Sequence, residues 1–586
     1  MRNARLSAPR WGLRAISVVF ALLATGLIGV TAAPAQTPCT SPPEVYPEGH
    51  LVSGTLGTGV TTLAGTTPTS FSFRILGVIP DGWMVGLDAV AFQITGPPSF
   101  IDQTGGVFYG MSGSPAYVGG KLAGAVSGVF SDPTFGVLTP AQPMVDLLST
   151  AGGTSSAQLA RRIVPTSRIR RAIAKAEGVS ASTVTGTFEQ LPTPLAVSGL
   201  SDAQIAELQT KLDERGENFK VYSAASAPVS PGALNPVQFV PGEPLGAAIS
   251  YGDASYYATG TATISCGDDV VAFGHPFFSD APGQISLGLS GADGLLVLKG
   301  SSGWPGERYA LLTEPRGQIV QDRLSGIVGV IGATPPSVPI VTNFTSPDSG
   351  ISRVGTTEAV HTWGWWLEDI VWSHVVSNFT AVLQHYGGGT SSLDWTIAGT
   401  TEDGTPFTVQ NRGMFYSESD ATETVYKLVS TIDALQFNRF QDVTFTSITS
   451  DGTITKQQLE GDIVRVRTSS ALQPALRSRN VTKVKAGRVL TVETTIAPAD
   501  GSSDIVTTVR IRIPSSAEGT RTMTLRGGKD SYWFRMRNTG SFDELLAALE
   551  GGQHANDLTL SGFGASQTTV LDWIPLNKMS FAVEAV

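Results

Sequence analysis

The chain has 586 residues, enough for roughly three or four domains, with 66 glycines, 35 prolines and only 15% charged residues. A formal net charge of −10 argues against a nucleic-acid partner. Plentiful glycine and proline with sparse charge exclude a helical bundle or a disordered chain and point to a β-rich protein with many turns. No phosphate loop, dinucleotide fingerprint, zinc-type cysteine pair or calcium loop is present, so no cofactor or metal is expected.

Residues 1–35 read as a secretory signal. Arg2, Arg5, Arg10 and Arg14 form the positive segment, Ile16 to Val30 the apolar segment, and Ala33-Pro34-Ala35 a small-residue cleavage site. The alternative is an uncleaved anchor, because the apolar run is near spanning length; no later stretch is apolar for long enough. The mature chain is therefore expected in the periplasm, cell envelope or medium, without a spanning segment. The two cysteines, Cys39 and Cys266, both fall in the exported part. An oxidising compartment allows them to pair; the other reading is two unrelated thiols.

Residues 36–150 read as short strands. Phe71, Phe73 and Ile75 alternate with polar residues, Val90 to Ile94 is a buried-type run, and Pro80-Asp81-Gly82 is a turn. The loop Gly110-Met111-Ser112-Gly113-Ser114-Pro115 places small residues around one serine. Such a loop suits a nucleophile with free backbone N–H groups for an oxyanion, or simply a glycine–serine turn.

Residues 151–235 read as a helical insert and linker. Ala157 to Gly178 is basic and helix-prone, either a solvated face or a patch for an acidic partner or a membrane surface. Ser201 and Gln204 form a capping-box pattern opening a helix to about Arg215. Ala224 to Pro244 reads as a long loop.

Strands resume over 236–345, with a hairpin around Cys266-Gly267-Asp268. His275 follows in Phe273-Gly274-His275-Pro276-Phe277, at the end of an apolar strand. A serine nucleophile needs a base of this kind. A hydrogen-bonded structural histidine is the other reading. The remaining histidines are His50, His361, His374, His385 and His554.

Residues 346–586 read as a β-rich region of one or two sandwich-like domains. Leu490 to Ile496 and Ile505 to Ile513 alternate as antiparallel strands, and Ser541 with Glu544 opens a late helix. Trp363, Trp365, Trp366 and Trp372 cluster with His361 and His374. They suit a packed core or seam, an aromatic glycan or lipid surface, or a metal site with Glu368 and Asp369.

The run Thr104-Gly105-Gly106 through Ser112 to Pro115, with Gly120 to Val126 and Asp132-Pro133-Thr134, resembles the SpoIVB (stage IV sporulation) serine peptidase family. Phe273-Gly274-His275 looks like that family's histidine motif, and Gly317 to Gly329 like its later strand-and-turn segment. The resemblance covers about residues 45–147 and 240–345. It implies a trypsin-like double β-barrel core and a protein or peptide substrate. It also implies Ser112 as nucleophile, His275 as base, and the N–H groups of Gly110 and Ser112 as oxyanion donors. Here the histidine motif follows the serine motif, as in a permuted branch. Where the family has its upstream aspartate this chain has Pro97. Asp102 is the candidate acid, with Asp88, Asp268 and Asp280 as others. The expected function is an exported serine endopeptidase; the alternative is a catalytically silent envelope binding module on the same fold.

Overall fold

The computed structural model describes residues 37–149, 159–227, 235–301, 304–362, 364–528 and 539–586. The segment read as a secretory signal, Ala157, the middle of the Ala224–Pro244 loop and Trp363 lie outside the described residues. The fold is mainly β.

The first sheet is built from strands β1 (Leu56–Thr61), β2 (Thr69–Met84), β3 (Leu87–Gly96), β5 (Pro115–Val118), β6 (Lys121–Val129) and β7 (Phe135–Pro140), with the short β4 (Phe108–Tyr109) lying outside it. Pairing runs β5-β1-β2-β3-β7-β6 and closes through β5–β6, giving a six-strand barrel. The alternation of Phe71, Phe73 and Ile75 puts all three inward, packed with Phe92, Ile94 and Phe108. Helix α1 (Pro98–Thr104) follows β3 and ends on left-handed Gly105.

A larger sheet holds the histidine region. Strand Tyr256–Cys266 pairs with Asp269–Ala272, which pairs with Gly326–Ile331. That strand pairs with Gly306–Arg323, then Gly283–Leu298, then Pro244–Gly252. The last also pairs with Tyr256–Cys266, so these pairings form a closed circuit. Strand pairing continues past residue 345, because Ser250 faces Ala359 across the ladder. Helix Trp366–Leu383 packs into this sheet's core through Ile370, Val371 and Phe379.

The segment between the two sheets serves both. Strand Phe188–Gln190 extends the first, and Thr193–Val197 and Phe219–Ser223 extend the second. Its helices are Ser167–Glu177 and Asp202–Glu214, the latter with the Ser201/Gln204 capping box in place. Beyond residue 459, two five-stranded sheets share one core, with Ile463, Leu490, Val492 and Ile511 from one and Met523, Leu525, Leu560 and Val583 from the other. Ser541 caps the helix Phe542–Glu550.

Cys39 and Cys266 form a disulfide with Cα atoms 4.9 Å apart. It ties the segment ahead of the barrel to the hairpin turn, where Asp268 N–H also donates to the Thr37 carbonyl at 2.8 Å. The bond closes a loop spanning 227 positions. Cys39→Ser is expected to lower unfolding free energy by about 2–5 kcal/mol, read as a drop in denaturation midpoint that reduced parent protein reproduces.

Candidate active site

Ser112 sits in the tight turn between β4 and β5. Gly110 and Gly113 on either side adopt φ of +93° and +88°, which L side chains rarely take. Gly113 N–H donates to Val126 O at 2.8 Å and Ser114 N–H to Met111 O at 3.0 Å. The N–H groups of Gly110 and Ser112 have no acceptor among the turn, loop and side-chain hydrogen bonds of the described residues. These two N–H groups are the pair an oxyanion would need.

The larger sheet clamps this turn. Thr261 N–H donates to Ser112 O at 2.9 Å, Thr261 Oγ1 to Gly110 O at 3.0 Å, and Thr263 Oγ1 to Gly113 O at 2.6 Å. In return Thr139 Oγ1 of β7 donates to the Gly274 carbonyl at 2.6 Å, holding the histidine turn. Phe273 and Gly274 both have positive φ, 70° and 66°. A non-glycine residue held in that region is a locally strained backbone fixed by its surroundings.

These contacts bring the two sequence-predicted residues together. His275 Nε2 lies 2.9 Å from Ser112 Oγ. His275 Nδ1 lies 2.8 Å from the Pro276 carbonyl oxygen. A carbonyl only accepts, so the proton sits on Nδ1 and the Nε2 lone pair faces the seryl hydroxyl. Burial lowers the imidazole pKa from 6.5 to about 4, with the Pro276 contact opposing. The ring is therefore neutral at neutral pH and able to accept a proton. Both residues are closed from solvent, Ser112 at 0% and His275 at 1% exposure.

Asp102, expected as the acid, does not take that place. It is exposed on α1, where Lys299 Nζ donates to its main-chain carbonyl at 3.2 Å. Asp88 accepts from Asp81 N–H, Asp268 from Thr37 N–H, and Asp280 borders a surface cavity. The partner at Nδ1 is instead main chain, which no residue type announces.

Two buried charged residues went unread in the sequence. Arg308 has 0% exposure, donating to Gly260 O at 2.6 Å and to Thr62 O at 3.3 Å. A Cβ on Gly110 would lie 3.2 Å from its Cβ, so this cation backs the oxyanion side of the loop. No carboxylate pairs with it among the described residues. Asp322, on strand Gly306–Arg323, is also fully buried. Its oxygens accept from Phe277 N–H and Phe278 N–H, both at 2.8 Å.

A cavity of about 230 Å³ beside Pro276 is lined by Leu159, Arg161, Gln190, Gly216 and Ser279. Arg161 spans it, donating to Gly216 O and, at 3.2 Å, to Ser279 Oγ. A second cavity of about 830 Å³ lies further along, walled by Phe278, Trp365, Trp366, Phe437 and Phe445. Trp365 stacks between Trp366 and the Arg215 guanidinium, while His374 is buried between Thr342 and Thr357. Among the described residues no group of three or more metal-ligating side chains converges, and no helix is long and apolar enough to cross a membrane.

Residues 26–145 match the family model described as SpoIVB peptidase S55. The match takes in Ser112 and its turn and ends before His275. No curated protein and no solved structure matches the chain. The similarity to that serine peptidase family thus lies over residues 26–145, which include the first barrel.

Proposed function

We propose that this protein is an exported serine endopeptidase whose working pair is Ser112 and His275. The observation that carries the reading is the 2.9 Å contact between Ser112 Oγ and a histidine nitrogen whose tautomer is fixed from its other side. Ser112 Oγ attacks the scissile carbonyl carbon while its proton passes to His275 Nε2. The oxyanion is held by the N–H groups of Gly110 and Ser112, with the Arg308 charge behind them. Collapse expels the amine, which takes the proton from His275. Water then attacks the acyl-enzyme with His275 again as base, releasing the acid and freeing the serine. On this reading the two closed strand circuits are the halves of a trypsin-like double barrel with the histidine half placed second.

The test is fluorophosphonate labelling and casein cleavage by the mature protein beside Ser112→Ala and His275→Ala. Labelling lost in both variants supports the peptidase. Complete closure of the pair from solvent favours the alternative, a silent envelope binding module. A folded parent that neither labels nor cleaves between pH 5 and 9 would decide for that alternative.

The pH profile follows from the buried base. Below its pKa His275 carries a proton and cannot accept another, so activity falls as pH drops. The fall is expected near pH 4, not near 6.5, and the labelling rate is level between pH 5 and 6. A midpoint near 6.5 in rate against pH would show that the imidazole titrates as a solvated group.

A further inference from the structure

We propose that Asp322 supplies the missing acid of this site, acting on His275 through a single peptide group. The inference rests on the Ser112–His275 reading. Asp322 Oδ1 accepts from Phe277 N–H at 2.8 Å. The carbonyl of that same peptide unit, Pro276 O, faces His275 Nδ1 at 2.8 Å. His275 Nε2 then meets Ser112 Oγ at 2.9 Å. The line from carboxyl to nucleophile is unbroken, with one amide where a direct carboxylate contact would be.

The amide is a conductor of polarisation, because its N–H and C=O share one delocalised system. Negative charge at the N–H end shifts electron density toward oxygen and makes that oxygen a better acceptor, as in any cooperative hydrogen-bond chain. Asp322 Oδ2 bonds Phe278 N–H as well, so the carboxyl grips the turn at two consecutive amides and sets its angle. Pro276 contributes by giving its nitrogen no proton to compete for these acceptors. Asp322 touches neither substrate nor reacting atoms and is a positioning residue.

Charges around the carboxyl make the device sensitive to pH. Glu217 accepts from Ser279 N–H at 3.0 Å, Asp280 follows in the same turn, and Arg161 reaches Ser279 Oγ from the opposite segment. Burial first, and then Asp280 and Glu217, push the Asp322 carboxyl up to about 8 against the pull of its two N–H donors. The carboxyl is neutral at pH 6 and charged at pH 10. The charge that stabilises an imidazolium at His275 is therefore gained as pH rises through about 8.

The test is the His275 Nδ1–H proton resonance of the full mature chain, assigned by its loss in His275→Gln and followed from pH 6 to 10. The expected result is a downfield movement with midpoint near 8 that is absent in Asp322→Asn. In parallel, the fluorophosphonate labelling rate should rise through pH 8 in the parent. In Asp322→Asn it should stay level near the parent's pH 6 rate, about tenfold below the parent at pH 10, and Asp322→Glu should recover the rise in part. A folded Asp322→Asn with the parent's rate, profile and resonance overturns the proposal. If that variant does not fold, the parent titration decides alone, and an Nδ1–H signal that stays still from pH 6 to 10 overturns it. Failure of the peptidase reading is separately visible, as labelling that survives Ser112→Ala, and leaves the resonance readable.

Discussion

Replacing Ser112 with alanine is expected to abolish fluorophosphonate labelling and to lower peptide hydrolysis by about 10³-fold or more. Everything the reaction needs converges on its Oγ. The imidazole lone pair is 2.9 Å away, and the N–H groups of Gly110 and Ser112 flank it. The variant keeps those N–H groups and the fold. Its cost in stability is one buried hydrogen bond and an unpartnered His275 Nε2, about 1–3 kcal/mol. Activity and stability therefore separate: labelling goes completely while the denaturation midpoint falls only by what one lost buried contact costs. Equal loss of both would mean that Ser112 is a structural residue and that its contact with His275 is packing.

Gly113→Ala is expected to have the opposite signature, a collapse of stability by about 3–5 kcal/mol with loss of labelling as a result. A Cβ at this position would lie 2.2 Å from the Thr261 carbonyl oxygen and 2.5 Å from the Phe273 nitrogen. Both obstacles are main chain and cannot swing away, and the φ of +88° is itself costly for alanine. The two strands approach here because Thr261 and Thr263 bond the turn's carbonyls. Spreading them would also draw His275 from Ser112, since Phe273 stands two residues before the histidine. Thermal unfolding checks this: a midpoint within a degree of the parent would show that the backbone yields at no cost.

What the sequence made legible follows from which interactions need particular side chains. Ser112 could be found because its turn demands glycine at positions 110 and 113, and His275 because it ends an apolar strand between glycine and proline. The alternating runs at 70–76 and 505–513 became strands because burial on one face imposes a period of two. The group at His275 Nδ1 could not be found, since any residue has a carbonyl. Asp322 was hidden by a register shift between Ile319 and Gln321. Simple alternation from Ile319 turns Gln321 inward and Asp322 outward; the bulge reverses them. Arg308 was hidden because its guanidinium is met by the carbonyl oxygens of Thr62 and Gly260 and the hydroxyl of Thr261, all distant in sequence, and not by a carboxylate. The aromatic cluster near Trp366 could be located but not interpreted, as the same rings serve equally as core and as cavity wall.

The closure of Ser112 and His275 from water has a kinetic consequence. A seryl oxygen with no solvent contact reacts only as often as the fold uncovers it. At low concentration a reagent meets the uncovered form rarely, and the rate climbs in proportion to reagent. At high concentration every uncovering is captured, and the rate levels off at the frequency of the opening itself. That ceiling is the same for reagents of different intrinsic reactivity. An enzyme built this way chooses substrates in two stages, first by what can hold the serine uncovered and only then by what the serine can cleave.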